Sequence, residues 1–272
     1  MTTRPAAILT PPTAPRVATP GVDTPLPKSA PAPAGWFDQL RQTGDAGEAR
    51  RDAVKVHAGE QPYRHNYYSE DVFFQHDAVR GAVTNIYGQR VLRVSEDFIT
   101  GLLGGLETVV GDAAGEIMYK VGYQWGVRDL QTYSERAAKE FEVAFDKMSV
   151  GVMLESWWWP MAVEGWGTWQ YDFREKSQGL IFIDLHESAV AQSPGEVGKV
   201  VCYFYAGLFA AAFSGLTRQK LACIEVQCYS MGEDYCKFLV STNKRVNAAS
   251  FWRNEGATAK EILTKVRQGD ER

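Results

Sequence analysis

The sequence predicts an α+β fold. Three observations carry this. Strand-like alternation occurs in separate stretches and not in a regular βαβ rhythm. Runs with helical periodicity stand between those stretches. One nearly apolar run, Val200 to Phe213, has 14 residues, too short to span a bilayer and suited to a buried helix. No internal repeat is present.

The elements follow in chain order. Residues 1–35 hold nine of the twelve prolines and no aromatic residue. Proline lacks the donor that ladders need, so this stretch reads as a disordered arm, either a plain solvated tail or a tether for a partner. Its apolar run Ala6–Leu9 is much shorter than the ~7–15 residues of a secretory signal. Residues 36–71 read as a connecting segment, with a helix-compatible stretch near Trp36–Leu40 and an ordered connection at Gln61–Glu70.

The compact domain is expected over residues 72–245. Val83–Val94 reads as two short strands turning at Tyr87-Gly88. Ser95 can cap a helix to about Val110, with Phe98, Leu102, Leu103 and Leu106 on one face. Asp112 can cap a second, with Ile117, Val121 and Trp125 inward. Gly115, Gly122 and Gly126 each cost that helix ~1 kcal/mol, which makes sense if another element packs closely there. Ser134 is expected to start a third helix through Phe141, Phe145 and Met148.

Five of the eight tryptophans then fall within 13 residues: Trp157, Trp158, Trp159, Trp166 and Trp169. Trp169–Phe173 and Leu180–His186 alternate as strands. Ser193-Pro194-Gly195-Glu196 reads as a capping box that launches the apolar helix, which ends near Phe213. Leu221–Tyr229 and Tyr235–Val240 form a closing hairpin through Gly232. Residues 246–272 read as a helical tail carrying Ile262, Leu263 and Val266.

The net charge is −4. The first 35 residues sum to +2 and the remainder to −6. An acidic body argues against a broad nucleic-acid or anionic-membrane surface.

All four cysteines lie in one 35-residue window. Disulfides, metal binding and simple burial each produce such crowding. With no secretory segment, a reducing, cytoplasmic setting is expected, which disfavours disulfides. Cys228 and Cys236 flank a turn, Glu225 lies three residues before Cys228, and Cys202 lies in the first turns of the preceding helix. Zinc favours four such ligands in tetrahedral array. On a regular strand Glu225 and Cys228 face opposite sides, so the ladder must break near Gln227 for both to bind one ion.

The order Cys202, Glu225, Cys228, Cys236, at spacings of 23, 3 and 8, resembles the 4-vinyl reductase (4VR) domain family. The surrounding VVCYFYAGLFAAAFSGL and IEVQCYSMGEDYCKFLV agree, and RVLRVSEDFITGLLGGLE…GEIMYKVGYQWG looks like the upstream half. The resemblance covers roughly residues 75–242. It implies an α+β domain with an antiparallel sheet, related to nitric-oxide signalling and vesicle-tethering (TRAPP-like) proteins. It further implies a structural zinc on Cys202, Glu225, Cys228 and Cys236, a hydrophobic ligand cavity and a homodimer. Cys223 does not match the pattern and reads as a core residue.

For the ligand, Trp157, Trp159, Trp166, Trp169 and His186 are the candidates. Tryptophan holds flat ligands well but also fills cores. Three adjacent tryptophans cannot all face one way. His186 could bond a ligand hydroxyl, coordinate a tetrapyrrole metal, or be a structural histidine. The family's phenol sensors carry a ligand-gripping tryptophan about 21 residues before the first zinc cysteine. Leu180-Ile181-Phe182 stand there instead, which points to a larger or more apolar ligand.

These features imply a zinc-containing, small-molecule-binding sensor that acts through a downstream protein partner. Gly195–Val200 lacks the spacing and hydroxyl of a P-loop. The alternatives are a tetrapyrrole carrier or vinyl reductase of bacteriochlorophyll metabolism, and a dimeric scaffold. No GxGxxG follows a strand and no flavin signature is present, so carriage suits the chain better than catalysis.

Overall fold

The computed structural model describes residues 73–85, 88–140, 144–148 and 150–269. The proline-rich arm and the connecting segment of the sequence reading lie outside the described residues. Within them the fold is α+β, with two antiparallel sheets.

The first sheet is a small meander of β1 (Phe74–Asp77), β2 (Ala82–Asn85) and β3 (Arg90–Val91). Val83 pairs with Val91, so the expected pair of short strands is present. Phe73 and Phe74 bury against Trp159.

Helices α1 (Asp97–Val110) and α2 (Ala113–Glu140) follow. The third helix expected from Ser134 does not start there. Helix α2 runs straight through, and the Ser134 hydroxyl donates back to the Gln131 carbonyl at 2.8 Å instead of capping a new turn. Phe145–Lys147 forms only a short 3-10 turn.

Helix α3 (Val150–Val163) carries the three adjacent tryptophans. It is apolar on every side and nine of its residues are buried, which leaves no periodicity for a sequence reading to detect.

The second sheet has the order β4-β5-β7-β6. Its strands are β4 (Thr168–Asp172), β5 (Ile181–His186), β6 (Ala222–Gln227) and β7 (Cys236–Ser241). All its pairings are antiparallel. The short α4 (Ala189–Gln192) and the long α5 (Tyr203–Thr217) lie between β5 and β6. Helix α5 starts later than the Ser193 box suggests. The Ser193 hydroxyl bonds Asp97 across the molecule at 3.2 Å, and Cys202 takes the N-cap position.

Strand alternation sends Ile183, Leu185, Phe238 and Val240 to a core shared with α5. Phe182, Leu239, Ile224 and Val226 go to the other face. That face is covered by α6 (Asn243–Asn254) and α7 (Ala259–Arg267). The tail thus holds two helices where the sequence suggests one. Helix α7 opens with a capping box between Thr258 and Glu261.

The α2–α5 crossing explains the helical glycines. A Cβ on Gly122 would stand 2.0 Å from the Phe204 carbonyl oxygen, and one on Gly207 would stand 2.0 Å from that of Tyr119. The helix backbones touch because no side chain intervenes. Among the described residues no helix is long and apolar enough to cross a membrane.

Candidate functional site

Two sites lie on either side of the first turn of α5. At one, Cys202, Glu225, Cys228 and Cys236 converge, with their ligand atoms all within 4.8 Å of one another. All four residues are buried. Cys202 caps α5, Glu225 lies in β6, Cys228 follows β6 directly, and Cys236 opens β7. The β6–β7 register shifts between Glu225 and Gln227. This is the break that the sequence requires, and it lets Glu225 and Cys228 reach the same point. Gly232 closes the turn with φ 88°.

The Sγ atoms of Cys202 and Cys228 each lie 3.8 Å from that of Cys236. Glu225 Oε2 accepts the Cys202 backbone N–H at 3.0 Å. Glu225 Oε1 is buried with no hydrogen-bond partner. Burial pushes the Glu225 carboxyl and the Cys202 thiol well above their ordinary ranges. Cys228 moves the other way, held down by hydrogen bonds from Cys202 and Cys236. Four acidic groups in one dry space cannot all ionise unless a cation joins them. The cluster could therefore hold a metal ion. Cys223 is buried elsewhere in the core.

The second site is a cavity of about 800 Å³. The segment from Gln89 to Ile99 forms one wall. Helix α2 contributes Trp125, Asp129, Tyr133 and Arg136. Helix α3 and the turn after it contribute Trp157, Met161, Glu164 and Trp166. Trp157 Nε1 donates to Asp129 Oδ2 at 2.8 Å. Burial raises the Asp129 carboxyl, and the Trp157 N–H partly offsets this. Glu164 is exposed at the cavity. Desolvation by the protein on its inner side pushes its carboxyl up to about 7.

The candidate ligand residues divide between four places. Trp157 and Trp166 line the cavity. Trp159 packs on Phe73 with ring centroids 5.0 Å apart, and Trp169 is enclosed among Trp157, Trp158, Tyr205 and Phe209. His186 stacks on Tyr235 at 5.3 Å, beside the hairpin. The three adjacent tryptophans point three ways, as successive helix positions must. The sequence reading did not single out Asp129 or Glu164. A signal for Asp129 existed, since it lies four residues after Trp125 on one helix face.

The two sites are joined. Phe204, two residues after Cys202, stacks on Trp166 at 5.5 Å and lies 5.2 Å from Trp125. Tyr205 Oη donates to the Trp166 carbonyl at 2.6 Å.

The hairpin, the cluster and the strands that hold it fall within one family match. Residues 181–242 match the V4R domain. This V4R region contains all four clustered residues. The chain is 21% identical over 132 residues to uncharacterized protein MJ0150 of Methanocaldococcus jannaschii. That match covers 48% of this chain and 66% of the relative, so the chain spans just under two thirds of the relative's length. Among solved structures, the phenol-responsive sensory domain of the transcription activator PoxR, with phenol, is similar at TM-score 0.51 and 18% identity. The alignment covers 65% of this chain and 89% of that one, and it shows a shared fold. A vinyl-4-reductase family protein from M. jannaschii aligns at TM-score 0.35 and 13% identity, over 74% of this chain and 94% of that one.

Proposed function

We propose that this protein is a metal-stapled, small-molecule-binding sensor module. The observation that carries the reading is the 800 Å³ cavity walled by Trp125, Trp157 and Trp166 in a V4R-type fold. Cavities of this size and lining suit drug-sized ligands. The PoxR domain of similar fold is phenol-responsive, which supports a sensing role here.

Zinc is the proposed ion, on Cys202, Glu225, Cys228 and Cys236. Tetrahedral bonds of ~2.3 Å put sulfurs about 3.8 Å apart, and the sulfur spacings agree with this. The partnerless Glu225 Oε1 supplies the fourth donor. A closed site of four protein ligands leaves no open position for substrate, so the ion's contribution is structural. Four free, buried cysteines suit the reducing cytoplasm proposed for the protein.

The tetrapyrrole reading is weaker on one count. Among the described residues no histidine or cysteine lines the cavity, so none of them offers an axial ligand of those types there. The scaffold reading leaves the cavity without a purpose. A homodimer remains part of the proposal, supported by the exposed Phe98, Leu102 and Val109 of α1. Output then passes to a downstream protein. Native mass spectrometry tests the whole reading. We expect one zinc per chain, a dimer, and a bound or exchangeable small molecule. A metal-free protein with no ligand uptake would defeat it.

A further inference from the structure

The cavity's carboxylates narrow the chemistry of what it takes. Asp129 of α2 and Glu164 after α3 both line it. Asp129 is held by the Trp157 indole N–H at 2.8 Å, and Glu164 lies beside Trp166. That bond fixes Trp157, and stacking on Phe204 fixes Trp166; both rings line the same space. Trp125 adds a third ring, its centroid 5.3 Å from that of Trp166. One N–H does not exhaust a carboxylate, which accepts through two oxygens. Flat π surface and spare acceptors therefore converge on one volume.

We propose that the cavity binds a planar aromatic cation, its ring against the tryptophans and its charged N–H group on Asp129 and Glu164. This rests on the ligand-binding reading above. Ring faces are negative and attract cations, and desolvation inside a cavity strengthens that attraction. An anion would have to lie against the same faces and beside both carboxylates. Arg90, Arg93 and Arg136 line the cavity too. Arg93 lies 4.6 Å over Phe74 and acts on Glu164, and Arg136 lies 5.4 Å over Tyr133 and acts on Asp129, so a cationic ligand competes with them for the carboxylates.

The charged groups around Glu164 are Asp129 from α2 and Arg93 from the linker after β3, with Arg90, Glu96 and Arg136 farther along the lining. Glu164 titrates at about 7 without a cation, chiefly because its protein-facing side is desolvated. A cationic ligand needs it ionised, so affinity falls as pH drops through that value.

The test is calorimetric titration of the full chain with three tricyclic probes of similar shape. These are the cation 9-aminoacridine, the anion 9-anthracenecarboxylate and the neutral 9-anthracenemethanol. At pH 8 we expect the cation to bind at least about tenfold tighter than either analogue. Its affinity should weaken about tenfold between pH 8 and pH 6, as Glu164 takes up a proton. Glu164→Gln should flatten that dependence and weaken the cation by more than it weakens the neutral probe. Asp129→Asn should weaken the cation selectively as well. If the anion or the neutral probe binds as tightly as the cation, or if Glu164→Gln changes nothing, the cation assignment is overturned while the cavity still stands as a ligand site. If none of the three binds at either pH, both readings fall.

Discussion

At the cysteine–glutamate cluster, four acidic groups share a dry space. At the tryptophan cavity, three acidic groups share an open one with three arginines. The cluster's geometry comes from one hairpin and one helix end, and its ligand atoms sit within 4.8 Å of one another. The cavity draws its walls from segments spread over residues 85–190, with open volume between them. The first arrangement can ionise fully only if a cation joins it. The second leaves open volume beside its carboxylates, with Asp129 taking the Trp157 N–H. A closed, self-sufficient site suits structure, and an open one suits exchange. The first turn of α5, through Phe204 and Tyr205, connects them.

The contrast breaks most severely if the cluster is dispensable. Replacing Cys236 with Ala should release the metal and unfold the hairpin, since structural zinc contributes on the order of 10 kcal/mol in small domains. Metal content and thermal melting would both show it. Cys223→Ala should keep one metal per chain and cost only the few kcal/mol of a buried truncation. Equal damage from both would mean that the cluster is ordinary core.

Part of this architecture could be read from the chain and part could not. The cluster was legible because its order and spacings resemble the 4VR pattern, and the side-chain period of a strand then demanded the bulge at Glu225–Gln227. Gly122 and Gly126 announced a close helix partner, and Phe204 with Leu208 of α5 is what they meet. The cavity was not legible. Helix α3 is apolar all round, so the tryptophans that line a cavity look like those that fill the core. Glu164 gains its environment only when α2 and the linker after β3 close around it. The end of α2 was hidden too, because Ser134 serves equally as a cap and as a hydroxyl bonded to its own preceding turn.

The junction between the two sites gives the next largest effect. Gly122→Ala puts a methyl where the Phe204 carbonyl oxygen lies 2.0 Å away. The helices must part, at a cost of about 1–3 kcal/mol or more. The chemical-denaturation midpoint should fall, with metal content retained. Because Phe204 stacks on Trp166, ligand affinity should fall along with it. An unchanged affinity would mean that α5 does not couple the sites.

Metal affinity should respond to pH in one direction. Without the ion, the raised Glu225 carboxyl and Cys202 thiol hold their protons at neutral pH, so binding releases them. Affinity therefore rises with pH, by up to about tenfold per unit for each proton released. Competition with a chelator between pH 6 and pH 8 measures the slope. A flat profile would show that the ligands are already ionised and that the cluster is not the binding site.

The smallest effect sharpens the contrast from the cavity side. Glu164 titrates at about 7 when folded and near 4.5 as a free side chain. Between those values the folded chain holds a proton that the unfolded chain has released. Stability contributed at this position is therefore full below pH 4.5 and lost as pH rises towards 7. Glu164→Gln removes the titration. The variant should melt like the parent at pH 4 and at a slightly higher temperature at pH 8. The parent carries that strain only because the cavity keeps a carboxylate where a neutral side chain would be more stable, which is the arrangement expected of a residue kept for its ligand. A variant less stable than the parent at pH 8 would instead make Glu164 part of the frame, and the line drawn between a structural cluster and an exchangeable cavity would have to move.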